Sequence, residues 1–129
     1  MKKEFIEAML KIQSELPVIK RNTDSYNYKY APLEVIWEKV GTIINNAGFI
    51  VTNEVTSEGV ITTVSHESGE LKSFFPCVTV KPQDRGAEIT YGRRYNLTAI
   101  FNIQLENEDN DAVEAQKKAP KQVNDISSL

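Results

Sequence analysis

A chain of 129 residues has the length of one ordinary domain, which runs to about 100 to 150 residues, and 40% hydrophobic with 26% charged residues is the balance of a globular protein with a modest core. A single cysteine, Cys77, and a single histidine, His66, exclude an internal disulfide framework and a multi-ligand zinc site. The formal charge of -3 is unevenly spread: residues 1–105 hold 12 Lys and Arg against 12 Asp and Glu, and residues 106–129 hold three against six, so any polyanion site must be a local cluster within a neutral body.

Phe5, Met9, Ile12 and Leu16 recur at helical spacing and Pro17 stops the pattern, which predicts a first helix over residues 3–15. Residues 18–31 have little periodicity and read as a loop, with Tyr26, Tyr28 and Tyr30 alternating at an extended end. Pro32 suits the first turn of a second helix whose buried face is Leu33, Ile36, Val40, Ile43, Ile44 and Ala47, and Gly48 stands where a C-terminal glycine cap belongs. Three runs rich in Val, Ile, Thr and Phe follow, at 49–56, 60–66 and 71–80, with separators short enough for hairpins. Pro76 cannot donate to a ladder and places a bulge or an edge in the third run.

After a loop at 81–85, residues 86–102 return to a helix with two occupied faces, Ala87, Thr90, Tyr91, Arg94, Leu97, Thr98 and Phe101 on one, Ile89, Gly92, Arg93, Asn96, Ile100 and Ile103 on the other. Such a helix should lie on the sheet and turn its other side to a neighbouring subunit or a ligand. The fold class is therefore α+β: an N-terminal helix, then a helix, a three-stranded antiparallel meander and a long helix, spanning 1–105. Residues 106–129, acidic and then rich in Lys, Gln, Ala and Ser, read as a disordered tail. No run approaches the ~20 apolar residues of a spanning helix. Met1 to Gln13 carries charges where a secretory signal is apolar, so the expected location is cytoplasmic, with no membrane partner.

The pair Arg93-Arg94, flanked by Tyr91 and Tyr95, joins phosphate-binding cations to stacking surfaces, the chemistry of a single-strand nucleic-acid site. The alternative reading has the arginines in ion pairs with Asp84, Glu88 or a neighbouring chain and the tyrosines in the core. Tyr26-Asn27-Tyr28-Lys29-Tyr30 interleaves aromatic and basic groups and could supplement the groove, or form one edge of a half-buried extended segment. Lys20, Arg21, Lys72, Lys81 and Arg85 could extend a basic track, although each alone reads as a solvated charge.

Glu106, Glu108, Asp109 and Asp111 suggest a magnesium cluster and hence a nuclease, but they are consecutive in a polar run rather than convergent from fixed elements, and a solvated helix exit is the simpler reading. A Gly-rich Walker loop is missing from the sequence, so ATP hydrolysis is not indicated. A lone His66 defines no reaction and reads as a strand-end residue, and Cys77 as a core thiol. A third reading is a DNA-independent adaptor that docks a host replication protein through the tail, including Ile126 to Leu129.

Five strings in order carry a resemblance: Tyr28-Lys29-Tyr30-Ala31-Pro32-Leu33, Asn46-Ala47-Gly48-Phe49-Ile50-Val51, His66-Glu67-Ser68-Gly69-Glu70, Gly86 through Tyr95, and the acidic run from Glu106 to Asp111. Together, from about Leu10 to Ala112, they resemble the Erf (essential recombination function) family of phage single-strand annealing proteins. The resemblance implies a non-enzymatic, ATP-independent protein without cofactor, magnesium serving only as a DNA counterion. Such a protein coats single-stranded DNA as an oligomeric ring or filament and anneals complementary strands, alongside a phage exonuclease or single-strand binding protein. It also implies a distant relation to eukaryotic annealing mediators, with a shared helix, three-stranded sheet and long helix. Tyr91, Arg93, Arg94 and Tyr95 fall on the family's most characteristic string, and Tyr28, Lys29 and Tyr30 on its first motif. Glu88 departs from it, standing where a small residue is usual, as does Gly92, where alanine is common; a carboxylate beside the groove would repel phosphate or cap an intersubunit contact.

Overall fold

The computed structural model describes residues 1–20, 23–24 and 29–106, with only the backbone at 23–24 and 29–30. The element order is α1 (Lys3–Glu15), β1 (Thr23–Asp24), β2 (Lys29–Tyr30), α2 (Leu33–Asn46), β3 (Ile50–Val55), β4 (Gly59–His66), β5 (Gly69–Pro76) and α3 (Pro82–Phe101). The last three strands form an antiparallel meander in the order β3-β4-β5, and α3 lies across β4 and β5. This is the predicted α+β arrangement.

Helix α1 buries Phe5 and Ile12, which lie on one face of the predicted apolar stripe. Helix α2 buries Ile36, Val40, Gly41 and Ile44, and Pro32 caps its N-terminus rather than sitting in the first turn. Gly48 adopts a φ of 93°, which lets the Phe49 N–H return to the Ile44 carbonyl at 3.3 Å and starts β3 at once. Phe49 is thereby driven into the core, edge-on to Phe5 at 5.4 Å and to Phe101 at 5.8 Å between ring centroids. That aromatic contact joins the first helix, the first strand of the sheet and the end of the last helix.

Within the sheet, Val60, Thr62 and Val64 of β4 are buried, while their cross-strand partners Val55, Asn53 and Val51 are more open. The other face is uncovered: Ile50, Glu54, Glu70, Lys72 and Phe74 are exposed there. The chain closes on itself through Ile19, whose N–H reaches the Gln104 carbonyl at 2.9 Å and whose carbonyl accepts from Glu106 N–H at 2.8 Å, a parallel bridge with Leu105.

Three expectations need correction. The segment read as a loop contains a small hairpin, β1 pairing with β2 as Thr23↔Tyr30 and Asp24↔Lys29; its strands are too short to leave a periodic signal. The third sheet run ends at Pro76 rather than Val80. Past that point the Val78 and Thr79 N–H groups leave the ladder for a side chain of α3. Helix α3 begins at Pro82, not at residue 86. Pro82 in the first turn suits a helix start, Asp84 is in the same turn, and the Arg85 N–H already bonds the Lys81 carbonyl at 2.8 Å.

Helix α3 rests on the sheet at Gly92. A Cβ there would stand 2.7 Å from Phe75 Cδ1 and 2.8 Å from Val60 Cγ1, so only a residue without one permits this approach. Gly86, six residues earlier on the same helix, has open space around it. The two glycines should therefore respond oppositely to alanine. Gly86→Ala is expected to stabilise by about 0.5–1 kcal/mol through helix propensity, and Gly92→Ala to destabilise by about 1–3 kcal/mol through overpacking. Urea unfolding of the two variants against the parent checks both signs.

Candidate nucleic-acid interface

The rotation of α3 about its axis is fixed by a polar pin as well as by Gly92. Asn96 is buried, and its Nδ2 donates to the Val60 carbonyl at 3.2 Å while its Oδ1 accepts from Ser73 Oγ at 3.0 Å. Each hydrogen bond stands in for water that the buried amide has lost. With Gly92 and Asn96 turned down, Leu97 and Phe101 enter the core and Arg93, Arg94 and Tyr91 are left to line a cleft.

That cleft has a volume of about 740 Å³, in the range of ligand-sized sites. Its walls are the N-terminal part of α2, with Pro32, Leu33, Glu34 and Trp37, and the α3 residues Ala87, Thr90, Tyr91, Arg93, Arg94 and Leu97. Its floor is the helix-facing side of β3 and β4, Val51, Asn53 and Thr62, where Thr62 Oγ1 donates to Asn53 Oδ1 at 2.6 Å. The Arg93 Nε is buried and has no hydrogen-bond partner among the described residues. An unmet donor on a charged group costs about 1–3 kcal/mol or more, so an arriving acceptor would be favoured.

Beside it, Tyr91 and Tyr95 share a hydroxyl contact of 3.0 Å and pack against Phe75 at 6.1 and 5.6 Å between centroids. The Arg94 guanidinium lies 4.6 Å from the centre of the Tyr91 ring, a cation–π arrangement that holds it near the cleft. Basic and aromatic groups thus meet at one place, as the sequence string suggested.

The remaining sequence-predicted positions divide. Lys81 is exposed at the N-cap of α3. Arg85 is engaged in the fold: its guanidinium donates to the carbonyls of Thr56 and Ser57, each at 2.9 Å, and of Thr79 at 3.3 Å. Lys29 and Tyr30 form β2, which only Ala31 separates from the cleft-lining Pro32; Tyr28, with Arg21, lies outside the described residues. Lys72 is on the uncovered face of the sheet, away from the cleft. Glu106 is exposed at the end of the described chain, whereas Glu108, Asp109, Asp111 and the rest of the expected tail lie outside it. Among the described residues no group of three or more His, Cys, Asp and Glu is placed to hold a metal ion. No described helix is long and apolar enough to cross a membrane. His66 sits at the β4 to β5 turn, its Nδ1 accepting from Ser68 N–H at 3.1 Å, with its ring 5.1 Å from that of Phe49. Cys77 is a buried free thiol.

These positions are set in a known family. The family model of the ERF superfamily matches residues 5–128. The chain belongs to that superfamily. Membership supports a role in phage recombination and strand annealing in general. Comparisons with curated proteins and with solved structures give no match.

Two features of this ERF chain escape sequence reasoning. Trp37 is hidden within the α2 pattern, yet it is exposed and lines the cleft. Its indole lies over Gly41, one helical turn on, where a Cβ would come within 2.7 Å of Cε2. A mid-helix glycine costs about 1 kcal/mol relative to alanine, and the Trp37/Gly41 spacing is the available signal. The second is Glu88. Its carboxylate is engaged within the fold rather than in an ion pair with Arg93 or Arg94: it accepts from the Thr79 hydroxyl at 2.7 Å and from the Val78 and Thr79 N–H groups at 3.0 Å. The Thr79 hydroxyl and these N–H groups, with a smaller contribution from Arg85, hold the Glu88 carboxyl below the usual carboxylate range.

A carboxyl lowered in the folded state contributes stability that is present above its unfolded value, about 4.3 for glutamate, and is lost as pH falls through the lowered one. Glu88→Gln should therefore melt below the parent at neutral pH, with the gap narrowing as the buffer is taken below about pH 4. Thermal melts of the two proteins across that range check the sign; a gap that is constant or widens in acid would contradict the assigned hydrogen bonds.

Proposed function

We propose that this ERF protein binds single-stranded DNA along the cleft between α2 and α3 and anneals complementary strands without ATP. The observation that carries the reading is the buried, unmet Arg93 Nε at a cleft that Arg94 and Tyr91 also line. Guanidinium groups take phosphate oxygens in a two-pronged geometry, and tyrosine faces add sequence-tolerant stacking. Family membership supports the annealing role from an independent direction.

The chemistry needs no covalent step. The protein's work is to hold strands extended and concentrated while base pairing supplies the free energy, so no catalytic residue and no cofactor are assigned, and magnesium acts as a DNA counterion only. A body with 12 basic and 12 acidic residues over 1–105 has no global attraction for a polyanion. Useful affinity then comes from many subunits on one strand, as a homo-oligomeric ring or filament. A phage exonuclease or single-strand binding protein is the expected partner, the host cytoplasm the expected site of action, and residues 106–129 a tail outside the DNA-binding body.

Replacing the cleft arginines gives the direct test. Arg93→Ala and Arg94→Ala should each weaken binding of a labelled oligonucleotide about tenfold or more, the loss of a hydrogen bond to a charged group. Base preference should stay the same, and the slope of the salt dependence should fall by about 0.7 for each phosphate no longer neutralised. Lys72→Ala, on the far face of the sheet, should bind as the parent does. Fluorescence anisotropy at several salt concentrations reads all three; unchanged affinity in both arginine variants would sink the site assignment.

A further inference from the structure

Trp37 is placed oddly for a core residue. It stands on α2 with more than a third of its surface exposed, 38%, on the wall of the cleft formed by α2, while the arginines come from α3. The indole is laid along its own helix over Gly41, with Cε2, Cδ2 and Nε1 all within 3.0 Å of where a Cβ would stand. Any other residue at 41 would lift the ring, so the helix keeps a buried glycine in its interior and the indole keeps its position in the cleft.

The other groups at hand suit a flat heteroaromatic ring rather than a bare phosphate. Pro32 and Leu33 supply apolar surface next to Trp37. On the floor, Thr62 fixes the Asn53 carboxamide by donating to its Oδ1, and the two Nδ2 hydrogens have no partner among the described residues. That leaves a donor edge for a carbonyl or ring nitrogen on a base. Cations for a phosphate, an aromatic face for a ring and an amide donor for its edge meet in one cleft.

We infer that Trp37 is a base-binding residue: a nucleobase of the bound single strand turns into the cleft and stacks on the Trp37 indole, its edge facing Asn53, while Arg93 holds the adjoining phosphate. This rests on the proposed binding of single-stranded DNA at this cleft and adds that the site grips a base as well as the backbone. A base held there is withheld from pairing, so annealing must release it as the second strand arrives.

Trp37 is the sole tryptophan of the chain, which makes it its own reporter. The test titrates the full chain with a thymidine oligonucleotide and with an abasic strand of the same length, following tryptophan emission and, in parallel, anisotropy of a labelled strand. The thymidine strand should quench the emission and the abasic strand should not, even where anisotropy shows it bound. Trp37→Ala should weaken thymidine-strand binding by about five- to a hundredfold, the range of base–aromatic stacking. It should leave abasic-strand binding unchanged, with Trp37→Phe retaining most of the affinity. Arg93→Ala should weaken both strands, which separates phosphate binding from stacking. Unchanged emission at saturation with the thymidine strand overturns the inference while leaving DNA binding intact, and so does equal weakening of both strands by Trp37→Ala. Failure of the parent to bind either strand removes the DNA-binding reading itself, and the inference with it. The emission measurement uses the unaltered protein and so holds even where a variant fails to fold.

Discussion

The close approach of α3 to the sheet at Gly92 is the contact on which the rest of the molecule depends. A helix lying on a sheet is free to turn about its axis until something sets it, and here two things do: the missing Cβ at Gly92, against Phe75 and Val60, and the paired hydrogen bonds of Asn96. Together they fix which side chains of a helix of nearly featureless polarity point where. Leu97 and Phe101 go to the core, Arg93 and Arg94 to the cleft, and Tyr91 and Tyr95 onto Phe75. Gly92 permits Phe75 and Val60 to fill the space a methyl group would take.

Charge in this protein is used in two ways that sequence position alone does not separate. Arg85 and Glu88 lie one turn apart on α3, and each is held chiefly by groups outside the helix, with only a smaller electrostatic contribution from one to the other. Arg85 holds the β3 to β4 turn through the carbonyls of Thr56 and Ser57, and Glu88 holds the chain leaving β5 through the N–H groups of Val78 and Thr79. A carboxylate so occupied is fixed in place, with its lone pairs turned to those donors. Arg93 and Arg94, farther along the helix, line the cleft instead. Within one helix, the charges of the first two turns hold neighbouring loops, while the middle both seats the helix on the sheet and turns its arginines to the cleft.

Much of this was legible in the residues. Strong periodicity located α1 and α2, Gly48 marked the end of α2, and β-branched runs with short separators gave the meander in order. Where the signal was local and polar it misled. The sequence Lys81 to Arg85 looks like a loop because its charges face solvent or backbone, although Pro82 begins a helix there. The run from Cys77 to Val80 has strand composition, yet after Pro76 the N–H groups of Val78 and Thr79 are claimed by Glu88. The Arg93-Arg94 string was readable as a candidate site because cations and aromatic residues are adjacent in the chain. Trp37 was not, since the cleft brings it to those arginines only through the packing of α2 beside α3 across the sheet.

The central claim is that the cleft between α2 and α3, and not the uncovered sheet face, receives the strand. Photocrosslinking tests it most directly, with an oligonucleotide carrying 4-thiothymidine and peptide mapping of the adducts by mass spectrometry. Adducts in the peptides that contain Trp37 and Tyr91 are the predicted result. Adducts concentrated at Lys72 and Phe74, on the opposite side of the sheet, would contradict it.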